Sequence, residues 1–234
     1  MTEDSRPAPH AHHLRVQRTA RYYTLGGTSA QRRTIWFVLH GYGQLAGEVI
    51  RFFADLATDE SLVVAPEALN RFYTVSTSSA PAHDRPVGAT WMTREDRASE
   101  IADYVEYLDA LFEDVVGESP RDGISVNVIG FSQGAATATR WLTHGSARID
   151  RLILWGGLLP PETDLSPGHA LRRARLTIVL GSRDHYVDET TFAAERARLD
   201  AAGLPYDVIR FEGGHVISRA VFPQLNEATA ASGQ

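Results

Sequence analysis

The sequence contains no cysteine among its 234 residues. A disulfide framework, a thiol nucleophile and a cysteine-ligated metal site are therefore excluded. No apolar run approaches the length needed to span a bilayer, and residues 1–13 contain no apolar stretch of the kind found in signal peptides. We therefore expect a cytoplasmic protein that does not insert stably into a membrane.

Basic residues are fewer than acidic ones: 23 Lys and Arg against 29 Asp and Glu, which gives a net charge of −6. No long basic stripe is present, which argues against nucleic acid as a partner. No Gly-x-Gly-x-x-Gly follows the early apolar run at 35–39, which argues against a dinucleotide-binding fold. We expect no cofactor, and the sequence does not indicate an oligomeric state.

What is present is a varied composition with 43% hydrophobic residues, enough for a packed core. The length fits a single domain. We predict a disordered polar tail over residues 1–12 and one domain over 13–234. His10, His12 and His13 cluster at the end of the tail, but a mobile tail is the simpler interpretation, so we expect no metal site.

Short apolar segments alternate with segments of helical period along the chain. Strands are expected at the edge of a sheet within 14–26, and then at 35–39, 62–65, 124–129, 152–155, 176–180 and 206–211. Helices are expected at 48–57, 95–117, 189–202 and 217–228, and a long irregular loop at 70–90. The alternation predicts an α/β fold with a mostly parallel central sheet flanked by helices on both faces. Such sheets place their sites at the carboxyl ends of the strands.

The segment Gly130-Phe131-Ser132-Gln133-Gly134 lies between a β-branched apolar run and a helix rich in small residues. A strand, a sharp turn and a helix in this order are typical of a nucleophile elbow, in which a strained turn exposes the serine hydroxyl. Gly130 and Gly134 suit the turn because a Cβ at either position would crowd the neighbouring strand and helix. The segment therefore indicates Ser132 as a nucleophile.

A serine hydroxyl needs a neighbouring base, and a carboxylate then orients the imidazole. The chain supplies these partners after predicted strands, with Asp184 following 176–180 and His215 following 206–211. Asp188 competes for the acid role, but its position before Glu189 favours a helix N-cap. We predict Asp184 as the acid and His215 as the base, in preference to the other histidines that do not follow the right strand, His144, His169 and His185.

Backbone N–H groups usually stabilise the oxyanion of acyl transfer. One donor is expected at Gln133, directly after the nucleophile, and the other in the loop after 35–39, where Tyr42 lies between two glycines. We interpret His40 as structural. The loop at 70–91 should emerge at the same edge of the sheet, and its large side chains, Phe72, Tyr73 and Trp91, are the predicted substrate-binding residues, with Trp91 as a pocket wall.

Four motifs in this order resemble the phospholipase/carboxylesterase family of small α/β-hydrolases, which includes acyl-protein thioesterase-like enzymes. They are His40-Gly41-Tyr42-Gly43, Gly130-Phe131-Ser132-Gln133-Gly134, Gly181-Ser182-Arg183-Asp184-His185-Tyr186-Val187 and Gly213-Gly214-His215. The family often has Leu, Asp and Pro at the positions of Tyr42, Gln44 and Asp188. Because these positions surround the pocket, the resemblance implies the chemistry more directly than the substrate.

The resemblance implies a serine hydrolase that cleaves small to medium acyl esters of carboxylic acids through a Ser-His-Asp triad and an acyl-enzyme. A thioesterase or lysophospholipase would use the same three residues and remains an alternative. A non-catalytic ligand-binding member of the fold is a further alternative, although all three triad residues are present. Dienelactone hydrolases share the fold but use cysteine, which this chain lacks.

Overall fold

The structure, a computed structural model, describes residues 10–29, 32–74, 84–117 and 123–225. The predictions for the first part of the tail, for the middle of the long loop and for the end of the last helix lie outside these residues. The division into a tail over 1–12 and one domain over 13–234 stays a prediction.

The described strands form one seven-stranded sheet in the order β1-β3-β2-β6-β7-β8-β9, and a separate hairpin of β4 and β5. Within the larger sheet only β1 runs antiparallel to its neighbour, and all other pairs are parallel. The strands are β1 Tyr22–Gly26, β2 Thr34–Leu39, β3 Ser61–Pro66, β4 Asn70–Tyr73, β5 Val87–Thr90, β6 Ser125–Phe131, β7 Arg151–Trp155, β8 Arg175–Gly181 and β9 Tyr206–Phe211.

Helices cover both faces of the sheet. Ile35 and Phe37 of β2 point into a core with α2, α3 and α4, whereas Trp36 and Val38 point into a second core with the first helical segment and the C-terminal residues. The helices are α1 Ala46–Val49, α2 Arg97–Val116, α3 Gln133–His144 and α4 Glu189–Ala201, with 3-10 helices at Ile50–Leu56, Ala170–Arg173 and Arg219–Val221. The predicted α/β fold with a mostly parallel sheet is confirmed.

Two predicted elements differ near the ends of the chain. The edge strand begins only at Tyr22, and residues 10–21 have no regular secondary structure. Leu14 and Val16 are 87% and 77% exposed, so the alternation that suggested a longer strand does not correspond to a buried face. At the other end, a 3-10 helix precedes the helical residues 222–225, so the predicted start at Ile217 is too early.

The prediction of an irregular loop over 70–90 is wrong at both ends of this range. β4 and β5 pair there as an antiparallel hairpin, with Asn70 opposite Thr90 and Tyr73 opposite Val87. The hairpin continues onto the loop after β2, because Gly43 N–H donates to Ala89 O at 2.9 Å. It therefore lies beside the carboxyl ends of the central strands.

Candidate active site

Ser132 occupies the sharp turn between β6 and α3. Its φ of 54° and ψ of −116° lie in a region that residues with a side chain rarely adopt. The two flanking glycines have no space for a side chain, since a Cβ on Gly130 would lie 2.2 Å from Gly134 O and a Cβ on Gly134 would lie 2.3 Å from Leu39 O. The turn therefore has the strained and closely packed geometry of a nucleophile elbow.

Asp184 and His215 meet at the carboxyl ends of β8 and β9. His215 Nδ1 lies 2.8 Å from Asp184 Oδ2. On the other side, the His215 ring packs on Phe131, the residue before Ser132, with ring centroids 4.9 Å apart. The structure thus brings all three residues of the predicted triad to one edge of the sheet.

The surroundings of Asp184 fix the tautomer of His215. The Asp184 side chain is 1% exposed, and its Oδ1 accepts the backbone N–H groups of Tyr186 and Val187 at 2.9 and 3.2 Å. An ionised carboxylate can only accept hydrogen bonds, so His215 Nδ1 carries the proton that Asp184 Oδ2 accepts. In the neutral ring, Nε2 then presents its lone pair.

Ser132 Oγ makes no hydrogen bond to any residue in the described parts of the chain. Catalytic hydrogen bonds of this kind often tighten only in the complex with substrate. Of the two contacts that the predicted triad needs, the structure therefore shows the one between His215 and Asp184.

Asp188 has a different environment from Asp184. It is the N-cap of α4, and its Oδ1 accepts the Thr191 N–H at 2.8 Å. This backbone hydrogen bond lowers the pKa of the Asp188 carboxyl. The prediction that Asp188 caps the helix is confirmed.

Among the other histidines, only His185 lies near this pair within the described residues; it is exposed, and its ring centroid is 6.3 Å from that of His215. His144 ends α3, and His169 precedes the 3-10 helix at Ala170–Arg173. His40 is fully buried; its Nδ1 donates to Gly41 O at 2.8 Å and its Nε2 accepts the Ala68 N–H at 3.0 Å. Burial lowers the pKa of His40, so the ring is held neutral in the arrangement that these two bonds require.

The two predicted oxyanion donors, the backbone N–H groups of Gln133 and Tyr42, are available to bind a ligand. Gln133 N–H begins α3, where backbone donors have no partner within the helix. Neither this N–H nor that of Tyr42 donates to another group within the described residues. Gly41 N–H donates to Gln44 Oε1 at 2.8 Å, which stabilises the turn that carries Tyr42.

The side chain of Gln133 has a role that the sequence did not indicate. Its Nε2 donates to Thr90 Oγ1 and Met92 O at 2.9 and 2.8 Å, and its Oε1 accepts the Trp91 N–H at 3.1 Å. Trp91 Nε1 in turn donates to His40 O at 2.8 Å. This chain of bonds connects the start of α3, the end of β5 and the loop after β2.

Glu67 makes a second set of hydrogen bonds near the loop after β2. Its side chain has no exposed surface, and its Oε1 accepts from Arg21 and Arg71 at 2.6 Å each, while Oε2 accepts the Ala46 N–H at 3.3 Å. Burial raises the pKa of Glu67, but the hydrogen bonds from Arg71 and Arg21 outweigh it and the net shift is downward. The carboxylate is therefore ionised, and it links the residue before β1 to β4 and α1.

The three predicted substrate-binding residues differ in placement. Trp91 is 1% exposed and packs on His40 and Tyr104 in the core, which does not fit a pocket wall. Phe72 is half-buried, with its ring centroid 5.1 Å from that of Tyr42. Tyr73 is exposed. Phe72 is thus the one whose ring reaches the predicted oxyanion loop.

Two cavities lie away from the predicted triad. A cavity of about 740 Å³ lies between α4 and β9, where Arg196 and Tyr206 are among its lining residues, and a smaller one of about 100 Å³ lies near Val116 and Asp150. Neither is lined by the predicted triad. In the ranges that the structure describes, no group of three His, Cys, Asp or Glu could hold a metal ion.

Solved structures of a thioesterase and of carboxylesterases share this architecture. Acyl-protein thioesterase 2 from Zea mays superposes with a TM-score of 0.65 at 18% identity, covering 91% of this chain and 99% of the other. A carboxylesterase from Mesorhizobium loti gives 0.64 at 19% identity, covering 90% and 94%. The carboxylesterase of Bacillus cereus gives 0.63 at 12% identity, covering 91% and 94%. No curated protein matches in sequence.

The sequence model of the phospholipase/carboxylesterase family matches residues 26–230, most of the chain. The chain belongs to this family of α/β hydrolases, as the four motifs predicted. No helix in the described part of the chain is long and apolar enough to cross a membrane.

Proposed function

We propose that this protein is a serine hydrolase that cleaves small to medium acyl esters through Ser132, His215 and Asp184. The single observation that carries the proposal is the 2.8 Å contact between His215 Nδ1 and buried Asp184, next to the strained turn at Ser132. A base oriented by a carboxylate beside a serine hydroxyl is the arrangement that activates serine for acyl transfer.

The first half of the reaction acylates the enzyme. Ser132 Oγ attacks the ester carbonyl while His215 Nε2 takes its proton, and Asp184 stabilises the imidazolium that forms. The N–H groups of Tyr42 and Gln133 bind the oxyanion of the tetrahedral intermediate. The intermediate then expels the alcohol, whose oxygen receives the proton from His215, and the acyl group remains on Ser132.

The second half returns the enzyme to its starting state. A water molecule gives a proton to His215 Nε2 and attacks the acyl carbonyl, and the same two N–H groups bind the oxyanion again. Collapse of this intermediate releases the carboxylic acid, and the proton on His215 returns to Ser132 Oγ. Thioesters and lysophospholipids would follow the same steps with a thiol or a lipid alcohol as the leaving group.

The test is active-site labelling followed by a substrate panel. A fluorophosphonate probe should label Ser132 in the wild type, as located by peptide mapping, and Ser132→Ala should not be labelled. The same variant should lose several orders of magnitude in kcat while its melting temperature stays close to that of the wild type. Labelling at another serine, or near-normal turnover by Ser132→Ala, would refute the mechanism.

The panel compares esters and thioesters that share one acyl group, together with a lysophospholipid. The proposal expects the highest kcat/KM on an oxygen ester of small or medium acyl length. A preference for the thioester or the lysophospholipid would be consistent with the proposed triad but would contradict the proposed substrate class.

A further inference from the structure

The ring of His215 contacts two aromatic rings of opposite exposure. Phe131 is buried, with its ring centroid 4.9 Å from that of His215. Tyr186 is 67% exposed, with its ring centroid at 4.6 Å and an angle of 58° between the ring planes. The nearest solvent-facing ring beside the predicted base is therefore a tyrosine with most of its surface available.

The position of Tyr186 is fixed by the same carboxylate that orients His215. Tyr186 N–H donates to Asp184 Oδ1 at 2.9 Å, and the ring packs on His185 with centroids 4.2 Å apart. Val216, directly after His215, is 53% exposed, and its carbonyl accepts the Trp155 Nε1–H at 3.0 Å. The exposed surface beside His215 is thus formed by Tyr186 and Val216, with the His185 ring behind Tyr186 at 6.3 Å from His215.

The proposed mechanism determines which part of the substrate meets this exposed surface. His215 Nε2 must lie within hydrogen-bond distance of the alcohol oxygen when that oxygen departs. The acyl carbonyl points away from this group, toward the N–H donors of Tyr42 and Gln133. The alcohol portion of the ester therefore extends past His215 toward solvent, where Tyr186 is exposed.

We propose that Tyr186 forms a leaving-group subsite that selects esters of aromatic or other flat apolar alcohols. This inference rests on the proposed function, because it assigns the alcohol side of the same site. An exposed tyrosine ring beside the departing oxygen offers an offset or edge-to-face contact to a second ring, and a short alkyl alcohol cannot make that contact. Tyr186 is a specificity residue and takes no part in proton transfer.

The experiment compares benzyl butyrate with methyl butyrate, which share the acyl group and both release a primary alcohol of similar acidity. kcat/KM is measured for the wild type, Tyr186→Ala and Tyr186→Phe. Phe52→Ala is the matched control, because Phe52 is an exposed aromatic residue outside the site. Tyr186→Ala should lower the benzyl-to-methyl ratio by roughly two- to tenfold, the size of one aromatic contact. Tyr186→Phe and Phe52→Ala should keep the ratio of the wild type.

A second readout separates a subsite from simple support of His215. Both esters form the same butyryl-enzyme, so its hydrolysis, followed after rapid acylation, should be unchanged in Tyr186→Ala. An equal fall of kcat/KM on both esters together with slower hydrolysis of the butyryl-enzyme would mean that Tyr186 only positions His215. An unchanged ratio in Tyr186→Ala would overturn the inference as well.

Failure of the inference is distinguishable from failure of the proposed function. A wild type that is labelled at Ser132 and hydrolyses both esters, with the same ratio in all variants, overturns the subsite alone. A wild type that is not labelled at Ser132 and hydrolyses neither ester overturns the proposed function and the subsite together.

Discussion

The two sides of Ser132 are held in different ways. On the oxyanion side, formed by residues 40–44, residues 90–92 and Gln133, buried side chains link three separate elements through hydrogen bonds. On the proposed acid–base side, formed by residues 184–187 and His215, one hydrogen bond joins the side chains of the two loops, and the exposed Tyr186 ring packs on His215. One side is braced by several hydrogen bonds, and the other by a single one with an exposed ring beside it.

The difference corresponds to what each side has to do in the proposed reaction. Oxyanion donors are effective when they already point at the place where charge develops and do not reorganise. The imidazole, in contrast, serves Ser132 Oγ in one step and the departing oxygen in the next, so a small change of its position is part of the mechanism. Several hydrogen bonds therefore suit the first side, and a single orienting hydrogen bond suits the second.

The largest expected effect comes from the acid–base side. Asp184→Asn should lower kcat by roughly 10⁴-fold, because the amide no longer holds His215 in the required tautomer. Asp188→Asn is the matched control four residues away; it should keep kcat and show only a small loss of thermal stability, since an N-cap asparagine still accepts the Thr191 N–H. Kinetics and thermal melts of the two variants check this. A larger loss of kcat in Asp188→Asn than in Asp184→Asn would show that Asp188 is the catalytic acid and that Asp184 is not.

Next in size is removal of the brace on the oxyanion side. Gln133→Met keeps the backbone N–H donor but loses the bonds to Thr90, Trp91 and Met92. We expect kcat to fall by roughly ten- to a hundredfold with little change in KM, which is less than the loss from deleting a donor outright. The measurement is steady-state kinetics on one ester.

A double-mutant cycle tests whether Gln133 acts through this brace. Thr90→Val removes the hydroxyl that Gln133 Nε2 and Oε1 both contact. The effects of Thr90→Val and Gln133→Met on kcat should be less than additive, because each removes bonds that the other needs. Full additivity would show that the two side chains act independently.

A smaller effect is expected at Trp91. Trp91→Phe removes the hydrogen bond to His40 O but keeps an aromatic ring in the core. Because the side chain is buried, kcat/KM should fall several-fold and by the same factor for esters from acetyl to decanoyl, as expected for the loss of one hydrogen bond. Chain-length dependence in this variant would restore Trp91 as a pocket wall.

Phe72→Ala is the comparison for the Trp91 variant. The half-buried ring of Phe72 lies against Tyr42, so its loss should act more strongly on long acyl chains than on short ones. Each methylene that loses an apolar contact should cost up to about 0.8 kcal/mol. A uniform effect over the same ester series would contradict a role of Phe72 in substrate binding.

The smallest expected effect is on stability. It concerns the ion pairs of Glu162 with two arginines of α2 and α3. Glu162 Oε1 accepts from Arg140 of α3 and Arg97 of α2 at 2.7 and 2.6 Å. Burial raises the pKa of Glu162, but these partners outweigh it and lower the pKa to about 2. Because the folded-state pKa is depressed, the stabilisation is complete above the ordinary value of about 4.5 and is lost as the pH falls toward 2.

Melting temperatures between neutral and acid pH test this expectation. Glu162→Gln should melt below the wild type at neutral pH, and the difference should shrink as the pH falls from about 4.5 toward 2. Glu48→Gln, which removes an exposed carboxylate from α1, should show no such convergence. A constant difference between Glu162→Gln and the wild type at all pH values would contradict the assigned pKa.

The central sheet and the residues at its carboxyl edge were predictable because local patterns encode them. Continuous apolar runs marked the buried strands, and the glycines around Ser132 marked a turn without space for a Cβ. The rule that sites lie at strand ends then selected Asp184 and His215 among several alternatives. The capping role of Asp188 was likewise readable from its position before a helix.

The parts that were missed depend on contacts between residues distant in sequence. β4 and β5 have four residues each and are separated by 13 positions, so no short hairpin turn marks them. The side chain of Gln133 reaches residues about 40 positions earlier, and the sequence pattern indicated only its backbone. Trp91 and Tyr186 are both large aromatic residues in connecting segments, and only the fold decides that one is buried and the other exposed.

The strand order implies that the site is completed late in biosynthesis. Among the described strands, β9 is an edge strand that pairs with β8 alone, and His215 follows it. A nascent chain that has emerged only as far as β8 already contains Ser132, Gln133 and Tyr42 but not the proposed base. Under the proposed mechanism, hydrolytic activity would appear only after the last strand has docked. Turnover would then report complete folding, whereas the early strands can pair before the proposed site is complete.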